Sequence, residues 1–402
     1  MNRPIKTLLF STLYPSSVRP VHGIFVETRL RELVATGKVE TKVMAPVPWF
    51  PWKSKRFGEY AQFATTPHAE HRNGVDVFHP RYVLPPKVGM RLAPYTLAMA
   101  ALPAIRKLIT QGFDFDLIDA HYYYPDGVAA HFIAKALNKP FVVTARGTDL
   151  NLIPQYAYPR KLILQTAQAA SASIGVCKAL MDSLQKLGAD PAKLHVLRNG
   201  VDLKRFIPED RSEARARLGL PLEVPVLLSV GHLIERKGHH IAIEAMALMP
   251  AGMHLVIVGG GPEDAALRRQ AKSLGVQDRV HFIGLVPQLE LKWWYSAASA
   301  LVLCSSREGW ANVLLESMAC GTPVIATNIW GTPEVVDRPQ AGQLMTQRTG
   351  KGLHEAWLAL SANMPIRAET RAHAETFSWG STTQGQLELF NRAILSYNIC
   401  HA

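Results

Sequence analysis

The chain of 402 residues is short of cysteine. It has four, at positions 177, 304, 320 and 400, and they show neither metal-ligand nor redox spacing. They read as small core residues of a reduced, cytoplasmic protein, and a disulfide framework is excluded. Long apolar runs are missing too: none approaches the roughly 20 residues needed to cross a bilayer. The opening Met1-Asn-Arg-Pro-Ile-Lys-Thr-Leu-Leu-Phe-Ser-Thr-Leu13 is basic and then apolar. It lacks a convincing cleavage site and Tyr14-Pro15 ends it, so it reads as a first strand rather than a signal peptide. No internal repeat or low-complexity tract occurs. Acidic residues are scarce in the first half. Residues 1–200 carry 25 Lys/Arg against 13 Asp/Glu, and residues 201–402 carry 19 against 19, so the whole net charge of +12 sits before residue 200. Such a half suits an anionic surface or substrate. No nucleic-acid-binding motif accompanies the charge. An anionic membrane surface fits it better.

One stretch organises what is present: Cys304-Ser-Ser-Arg-Glu-Gly-Trp-Ala-Asn-Val-Leu-Leu-Glu-Ser-Met-Ala-Cys-Gly-Thr-Pro323, followed by Val324-Ile-Ala-Thr327. It reads as strand end, loop, helix, loop, strand. Ser299-Ala-Leu-Val-Leu-Cys304 suits a buried parallel strand. A helix is expected from near Asn312 to Gly321, with Pro323 blocking its continuation. Glu308 lies in the loop before this helix and Glu316 about one turn inside it. The backbone N–H groups of Trp310, Ala311, Asn312 and Val313 have no partners within the helix and would face an anion, and the helix dipole favours one there. Two carboxylates beside such a terminus suit a ligand with hydroxyls at both ends and phosphates in the middle, which is the layout of a nucleotide-sugar.

The pattern Glu308-x7-Glu316, with Gly309 and Gly321-Thr-Pro323 in place, resembles the signature of glycosyltransferase family 4, as found in bacterial polysaccharide and teichuronic-acid-type biosynthesis enzymes. The resemblance covers nearly the whole chain and is strongest from Gly231 to Pro333. It implies an α/β protein of GT-B fold, with two Rossmann-like domains facing across a cleft. Residues 1–200, with a returning helix at 380–402, would bind the acceptor, and residues 201–379 the nucleotide-sugar. It also implies sugar transfer with retention at the anomeric carbon, no required cofactor and no metal.

In the first half, Ile5 to Leu13 reads as a strand and Phe25 to Ala35 as the helix after it. The loop between them holds His22-Gly23, where the family usually has a glycine pair. Gly23 is therefore an acceptor-side candidate for close backbone approach, or simply a turn. Pro46-Val-Pro-Trp-Phe-Pro-Trp-Lys-Ser-Lys-Arg-Phe57 sets aromatics at 49, 50 and 52 against cations at 53, 55 and 56. It suits a membrane interface or a proline-rich loop folded on its own domain. Met90 to Ile109 reads as an apolar helix interrupted by Pro94 and Pro103, part of the acceptor side and facing lipid. Asp114-Phe-Asp116 has the Asp-x-Asp form of a metal site, but it precedes the apolar Leu117-Ile118 and so starts a strand. His121 ends that strand, where α/β sites collect, and a packed or capping histidine is the alternative. In Pro140-Phe-Val-Val-Thr-Ala-Arg-Gly-Thr-Asp149, Gly147 and Asp149 keep the family's pattern while Arg146 replaces its histidine. An arginine cannot deprotonate an acceptor but can bind phosphate or carboxylate bidentately. An Arg146–Asp149 pair is the structural alternative.

In the second half, Arg198-Asn-Gly-Val-Asp202 resembles the family's hinge. Strand Val226 to Val230 leads into Gly231-His-Leu-Ile-Glu-Arg-Lys-Gly238. Here Lys237 matches a phosphate-binding lysine, His232 stands where the family has arginine, and Arg236 is the substitute cation. Gly259-Gly-Gly-Pro-Glu-Asp264 fails as a dinucleotide fingerprint because its sixth position is aspartate. Gly284-Leu-Val-Pro287 resembles a base-contacting loop, through the backbone of Val286. Trp293, Trp294 and Tyr295 read as packing. Glu308, Arg146, His121, Lys237 and Arg236 are the catalytic candidates. Gly231, Val286, Gly309 and Glu316 join Arg236, Lys237, Glu308 and the helix start as donor-binding ones. A polyprenyl-phosphate-linked or glycan acceptor at the cytoplasmic face of a membrane is the expected setting. A soluble enzyme making a small glycoside or storage sugar, or a non-catalytic sugar-nucleotide-binding subunit, are the alternatives.

Overall fold

The computed structural model describes residues 3–85 and 88–401. The chain divides into two compact units, one of residues 1–198 with 380–402 and the other of residues 199–379.

Among the described residues ten strands belong to the first unit: β1 (Ile5–Phe10), β2 (Val39–Met44), β3 (Val47–Pro48), β4 (Ala69–Arg72), β5 (Val75–Phe78), β6 (Arg81–Tyr82), β7 (Leu117–His121), β8 (Phe141–Ala145), β9 (Ala172–Gly175) and β10 (Leu194–Val196). Eight form one sheet in the order β10-β9-β8-β7-β1-β2-β5-β4, parallel except for the β4–β5 hairpin, and β3 pairs with β6 apart from it. β7 and β8 are buried along their whole length. Unbroken apolar strands of that kind form where helices cover both sheet faces. The C-terminal helix Trp379–His401 supplies part of the cover, packing Leu387, Leu389, Phe390 and Ala393 against Leu117, Val142 and Ile174.

The second unit has one six-stranded parallel sheet. Its strands are β11 (Val226–Val230), β12 (His254–Val258), β13 (Val280–Gly284), β14 (Ala300–Leu303), β15 (Val324–Thr327) and β16 (Gly342–Met345), in the order β13-β12-β11-β14-β15-β16. Its core joins Leu227, Leu255, Ile257, Val302 and Ile325 of the sheet to Ile241, Met246, Leu353 and Trp357 of the helices. Both sheets are of the Rossmann type, and each has a switch in strand order. In the first it falls at β1, between β2 and β7; in the second at β11, between β12 and β14. Loops leaving the carboxyl ends of strands at such a switch part to opposite faces and open a crevice. Gly23 of the first unit and Arg236, Lys237 and Glu308 of the second stand on those loops.

Two expectations need correction. The helix Gly89–Thr110 continues through both Pro94 and Pro103. Each proline removes one hydrogen bond, but Ala93, Leu97, Ala101 and Ile105 are all buried and hold the helix in register. Cys400 is exposed, unlike the three buried cysteines, in the last turn of the C-terminal helix, beyond the packed residues Leu387 to Ala393. Asp114 and Asp116 do precede β7, and there they bind Lys139 and Arg3. Among the described residues no helix is long and apolar enough to cross a membrane.

Gly238 fixes how the loops of the second unit meet. Its φ is 74°, and a Cβ there would lie 2.0 Å from the carbonyl oxygen of Cys304. Gly238→Ala is therefore expected to lower stability by roughly 2–3 kcal/mol, from strain and backbone displacement together. Urea unfolding should show this, whereas Gly219→Ala, which also has positive φ but has nothing within 4 Å, should cost about 1 kcal/mol.

Candidate functional site

In the second unit the loop after β11 closes in a single turn, Glu235–Lys237, against the loop after β14. Ser306 N–H donates to the Arg236 carbonyl at 2.8 Å, and Arg236 Nη1 donates to the Arg307 carbonyl at 2.8 Å. These bonds bring together residues more than sixty positions apart. Glu308 Oε1 then receives Lys237 Nζ at 2.6 Å and Ser305 Oγ at 2.7 Å, with Arg236 Nη1 at 3.8 Å. Glu308 is only 7% exposed. A carboxylate so withdrawn from water requires its cation, and removal of one member of such a pair costs roughly 3–5 kcal/mol. Two cations facing one carboxylate leave an excess positive charge, which suits an anionic ligand.

The helix Asn312–Ala319 begins directly after this cluster, and no side chain caps it. The backbone N–H groups of Asn312 and Val313 open it, while Ala311 occupies the cap position with non-helical dihedrals. Trp310 precedes the helix as a buried wedge. Its Nε1 donates to the Asn199 carbonyl at 3.1 Å, and its ring lies 5.8 Å from that of Phe377. Gly309 is buried beside it. Glu316 accepts a hydrogen bond from the phenol of Tyr295 at 2.7 Å. Burial pushes the Glu316 carboxyl up to about 7, while the Tyr295 hydrogen bond and the charge of Arg205 pull it down. Gly231 ends β11, its N–H donating to the Val258 carbonyl at 3.0 Å, and Val286 lies half-buried in the loop after β13, at the same end of the sheet. The donor-side candidates thus share one sheet edge, and Arg236, Lys237 and Glu308 touch.

The first unit has its own cluster. Ser11 and Thr12, at the end of β1, bind the fully buried Asp126, whose carboxylate accepts Thr12 N–H at 2.6 Å. Burial pushes that carboxyl up to about 7 against the pull of these hydrogen bonds. Gly23, with φ 67°, starts the helix Ile24–Val34, and a Cβ there would lie 2.3 Å from the Leu13 carbonyl oxygen. The close approach is to its own loop. His121 Nε2 contacts Asp119 Oδ2 at 3.1 Å, and its Nδ1 meets Arg146 Nη2. A guanidinium only donates, so Nδ1 accepts and the ring proton sits on Nε2, facing Asp119. Burial, ahead of all other influences, pushes the imidazole down to about 4, so it is neutral at neutral pH. His121 therefore holds Arg146, whose guanidinium also lies over the Phe25 ring at 5.4 Å. Asp149 accepts the N–H groups of Tyr123, Arg146 and Gly147, and so shapes the loop that carries Arg146.

Sequence reading missed the residues behind these side chains. Asp119 Oδ2 also accepts Gln386 Nε2 at 2.9 Å, and Gln386 Oε1 accepts Arg29 Nε at 2.8 Å. A buried polar chain thus runs from the C-terminal helix to Arg146. Asp119, two positions before His121 on the same strand and so on the same sheet face, was the one member with a local signal. Tyr295 does pack, fully buried as expected, but it also serves Glu316. Ser305 sits inside the organising stretch and had been given no role. Among the described residues no group of three or more His, Cys, Asp or Glu gathers as a metal site.

Two Rossmann-like units, the second carrying the Glu-x7-Glu helix, define the GT-B class of glycosyltransferase. Residues 46–205 match the family described as Glycosyltransferase Family 4, and residues 210–376 match glycosyl transferases group 1. A glycosyltransferase provisionally assigned to teichuronic acid biosynthesis in Bacillus subtilis (strain 168) is 30% identical over 359 residues, covering 88% of each chain. Among solved structures, sucrose-phosphate synthase from Thermosynechococcus elongatus superposes with a TM-score of 0.79 at 20% identity, covering 98% of this chain and 100% of that one. Anabaena HepE in complex with UDP-glucose gives 0.70 at 19%, covering 96% and 99%. The chain belongs to glycosyltransferase family 4.

Two buried groups make opposite contributions to stability against pH. Glu316 binds its proton more tightly folded, near 7, than unfolded, near ~4.3. Its contribution to stability therefore falls as pH rises between those values, by up to about 4 kcal/mol. Glu316→Gln should remove this slope and so gain most, relative to wild type, above pH 7. His121 binds its proton less tightly folded, near 4, than unfolded, near ~6.5. Its contribution is complete above pH 6.5 and is lost as pH falls through 4. The destabilisation caused by His121→Gln should accordingly shrink by about 3 kcal/mol from pH 7 to pH 4. Chemical denaturation at four pH values checks both slopes.

Proposed function

We propose that the enzyme transfers a sugar from a nucleotide-sugar, a UDP-sugar, to a glycan or polyprenyl-phosphate-linked acceptor in the building of cell-surface polysaccharide. On this reading the anomeric configuration is retained, no metal is required, and the protein works at the inner face of the membrane. The observation that carries it is the Glu308 carboxylate held by Lys237 and Ser305 beside the uncapped start of the helix Asn312–Ala319. A cation pair and a helix terminus suit a diphosphate, and carboxylates to either side suit hydroxyls.

Glu308 binds hydroxyls of the donor sugar and Glu316 those of the ribose, while the Val286 backbone meets the base. Lys237, Arg236 and the N–H groups of Asn312 and Val313 take the diphosphate. They also stabilise the charge that grows on it as the bond from the anomeric carbon to the phosphate oxygen breaks. The acceptor oxygen forms the new bond to that carbon, and its proton passes to the leaving diphosphate. Arg146, held by His121, binds an acidic group of the acceptor or of the transferred sugar. The similarity to a protein assigned to teichuronic acid biosynthesis supports an anionic cell-surface glycan. The similarity in fold to a UDP-glucose complex supports the nucleotide class.

Release of nucleoside diphosphate from UDP-, GDP- and ADP-sugars, with a crude lipid extract as acceptor, tests this proposal. A UDP-sugar should be consumed with or without EDTA, and Glu308→Ala should lower the rate by about a thousandfold. Loss of turnover in EDTA would overturn the metal-free reading. A donor that binds without turnover would favour a sugar-nucleotide-binding subunit.

A further inference from the structure

Residues 41–58 and 77–113 together contain nine Lys/Arg and no Asp or Glu. The fold puts the two segments side by side. β3 and β6 pair in parallel, and Trp49 N–H donates to the Tyr82 carbonyl at 2.7 Å, so Trp49 and Val83 leave the same small sheet in the same direction. Beyond Trp49 the chain forms an aromatic knob. Phe50 and Trp52 meet edge to face at 5.5 Å, Trp52 stacks on Phe57 at 5.4 Å, and Tyr60 lies 5.2 Å from Phe50. These rings hold one another, yet Trp49 and Trp52 remain 57% and 56% exposed. Lys53, Lys55 and Arg56 are exposed around them.

Beyond Val83 the chain enters the helix Gly89–Thr110, which is apolar on two sides. Ala93, Leu97, Ala101, Ile105 and Leu108 are buried. Val88, Leu92, Tyr95 and Met99, spaced as one helical stripe, are exposed, Met99 by 74%. A one-sided core helix would carry polar residues on that stripe. Several large apolar side chains exposed along one helix stripe mark an interaction site. Rings and aliphatic chains flanked by cations that outnumber the exposed Glu59 beside Tyr60 fit the headgroup layer of an anionic bilayer, where aromatics lie at the interface and Lys/Arg meet lipid phosphates.

We propose that this face, formed by the knob around Trp52 and the outer stripe of the helix Gly89–Thr110, docks the enzyme on an anionic lipid bilayer. The proposal rests on the carrier-linked acceptor reading for its purpose, since a lipid-held substrate needs an enzyme at the headgroup layer. The Tyr124 hydroxyl donates to the Met90 carbonyl, so the helix start is tied to the loop that follows His121. Docking through the stripe thus puts the bilayer beside the acceptor-side cluster of the same unit.

Flotation with vesicles of phosphatidylcholine alone, or with 30% phosphatidylglycerol, tests the docking on the full-length protein, at low and at high salt. Wild type should bind the anionic vesicles selectively and lose binding as salt rises. Since each cation near such a surface is worth on the order of fivefold, K53A/K55A/R56A should weaken binding by about a hundredfold. W49A/W52A should weaken it at least tenfold at every salt concentration and should abolish quenching of tryptophan fluorescence by brominated lipid. Circular dichroism and the slow release of nucleoside diphosphate to water, without lipid, should match wild type in both variants, whereas release with the lipid acceptor should fall. Absence of binding to anionic vesicles, or binding that neither variant weakens, would overturn the proposal. So would a concentration-dependent dimer that W49A/W52A disperses, which would assign the face to a second copy of the chain. Vesicle binding without turnover would count against the proposed reaction and not against the docking face.

Discussion

A carboxylate almost removed from water must be matched by charge and hydrogen bonds, and Glu308 imposes that requirement on the whole second unit. Its partners Lys237 and Ser305 come from two loops that meet only because β11 and β14 are neighbours in the sheet. The approach also needs Gly238, which presses its backbone against Cys304 where no side chain fits. Once the loops are joined, the helix Asn312–Ala319 starts beside two cations and points its uncapped end at the same place. Strand order, loop conformation and site electrostatics are thus one arrangement. Positive charge exceeds negative there, and that excess prepares the site for an anionic ligand before one arrives.

The first unit solves a related problem by a different route. Arg146 needs a fixed direction without losing its charge, and a neutral histidine gives that direction. His121 stays neutral because it is buried, and its tautomer is set by Asp119. Asp119 is steadied by Gln386 of the C-terminal helix, which in turn binds Arg29. Packing of Phe390 and its neighbours keeps that helix in register. The returning helix therefore does more than cover apolar surface. It completes the chain of hydrogen bonds that ends at the guanidinium.

What the sequence made legible followed local rules. The strands Val226–Val230 and His254–Val258 are short apolar runs whose limits coincide with their turn residues. The Glu-x7-Glu stretch combined a strand, a helix terminus and a glycine cap within about two dozen positions, so both acids and the helix between them could be placed. What stayed hidden depends on residues far apart in sequence. Gln386 and Asp119 are 267 positions apart, and no periodicity links them. Tyr295 looked like packing because its partner Glu316 lies on another helix. The prolines of Gly89–Thr110 argued for an interrupted helix on propensity alone, and tertiary burial overrode them. The pairing of two-residue strands β3 and β6, which assembles the exposed basic and aromatic face, is too short to leave any pattern.

The most direct test is a double-mutant cycle on Lys237 and Glu308, read as kcat/KM for nucleoside diphosphate release. If the two side chains form one preorganised unit, Lys237→Ala and Glu308→Gln should each cost about a thousandfold, and the double variant little more than either alone. Effects that multiply to about a millionfold in the double variant would show that the two act independently, and would contradict the account of the site as a joined pair.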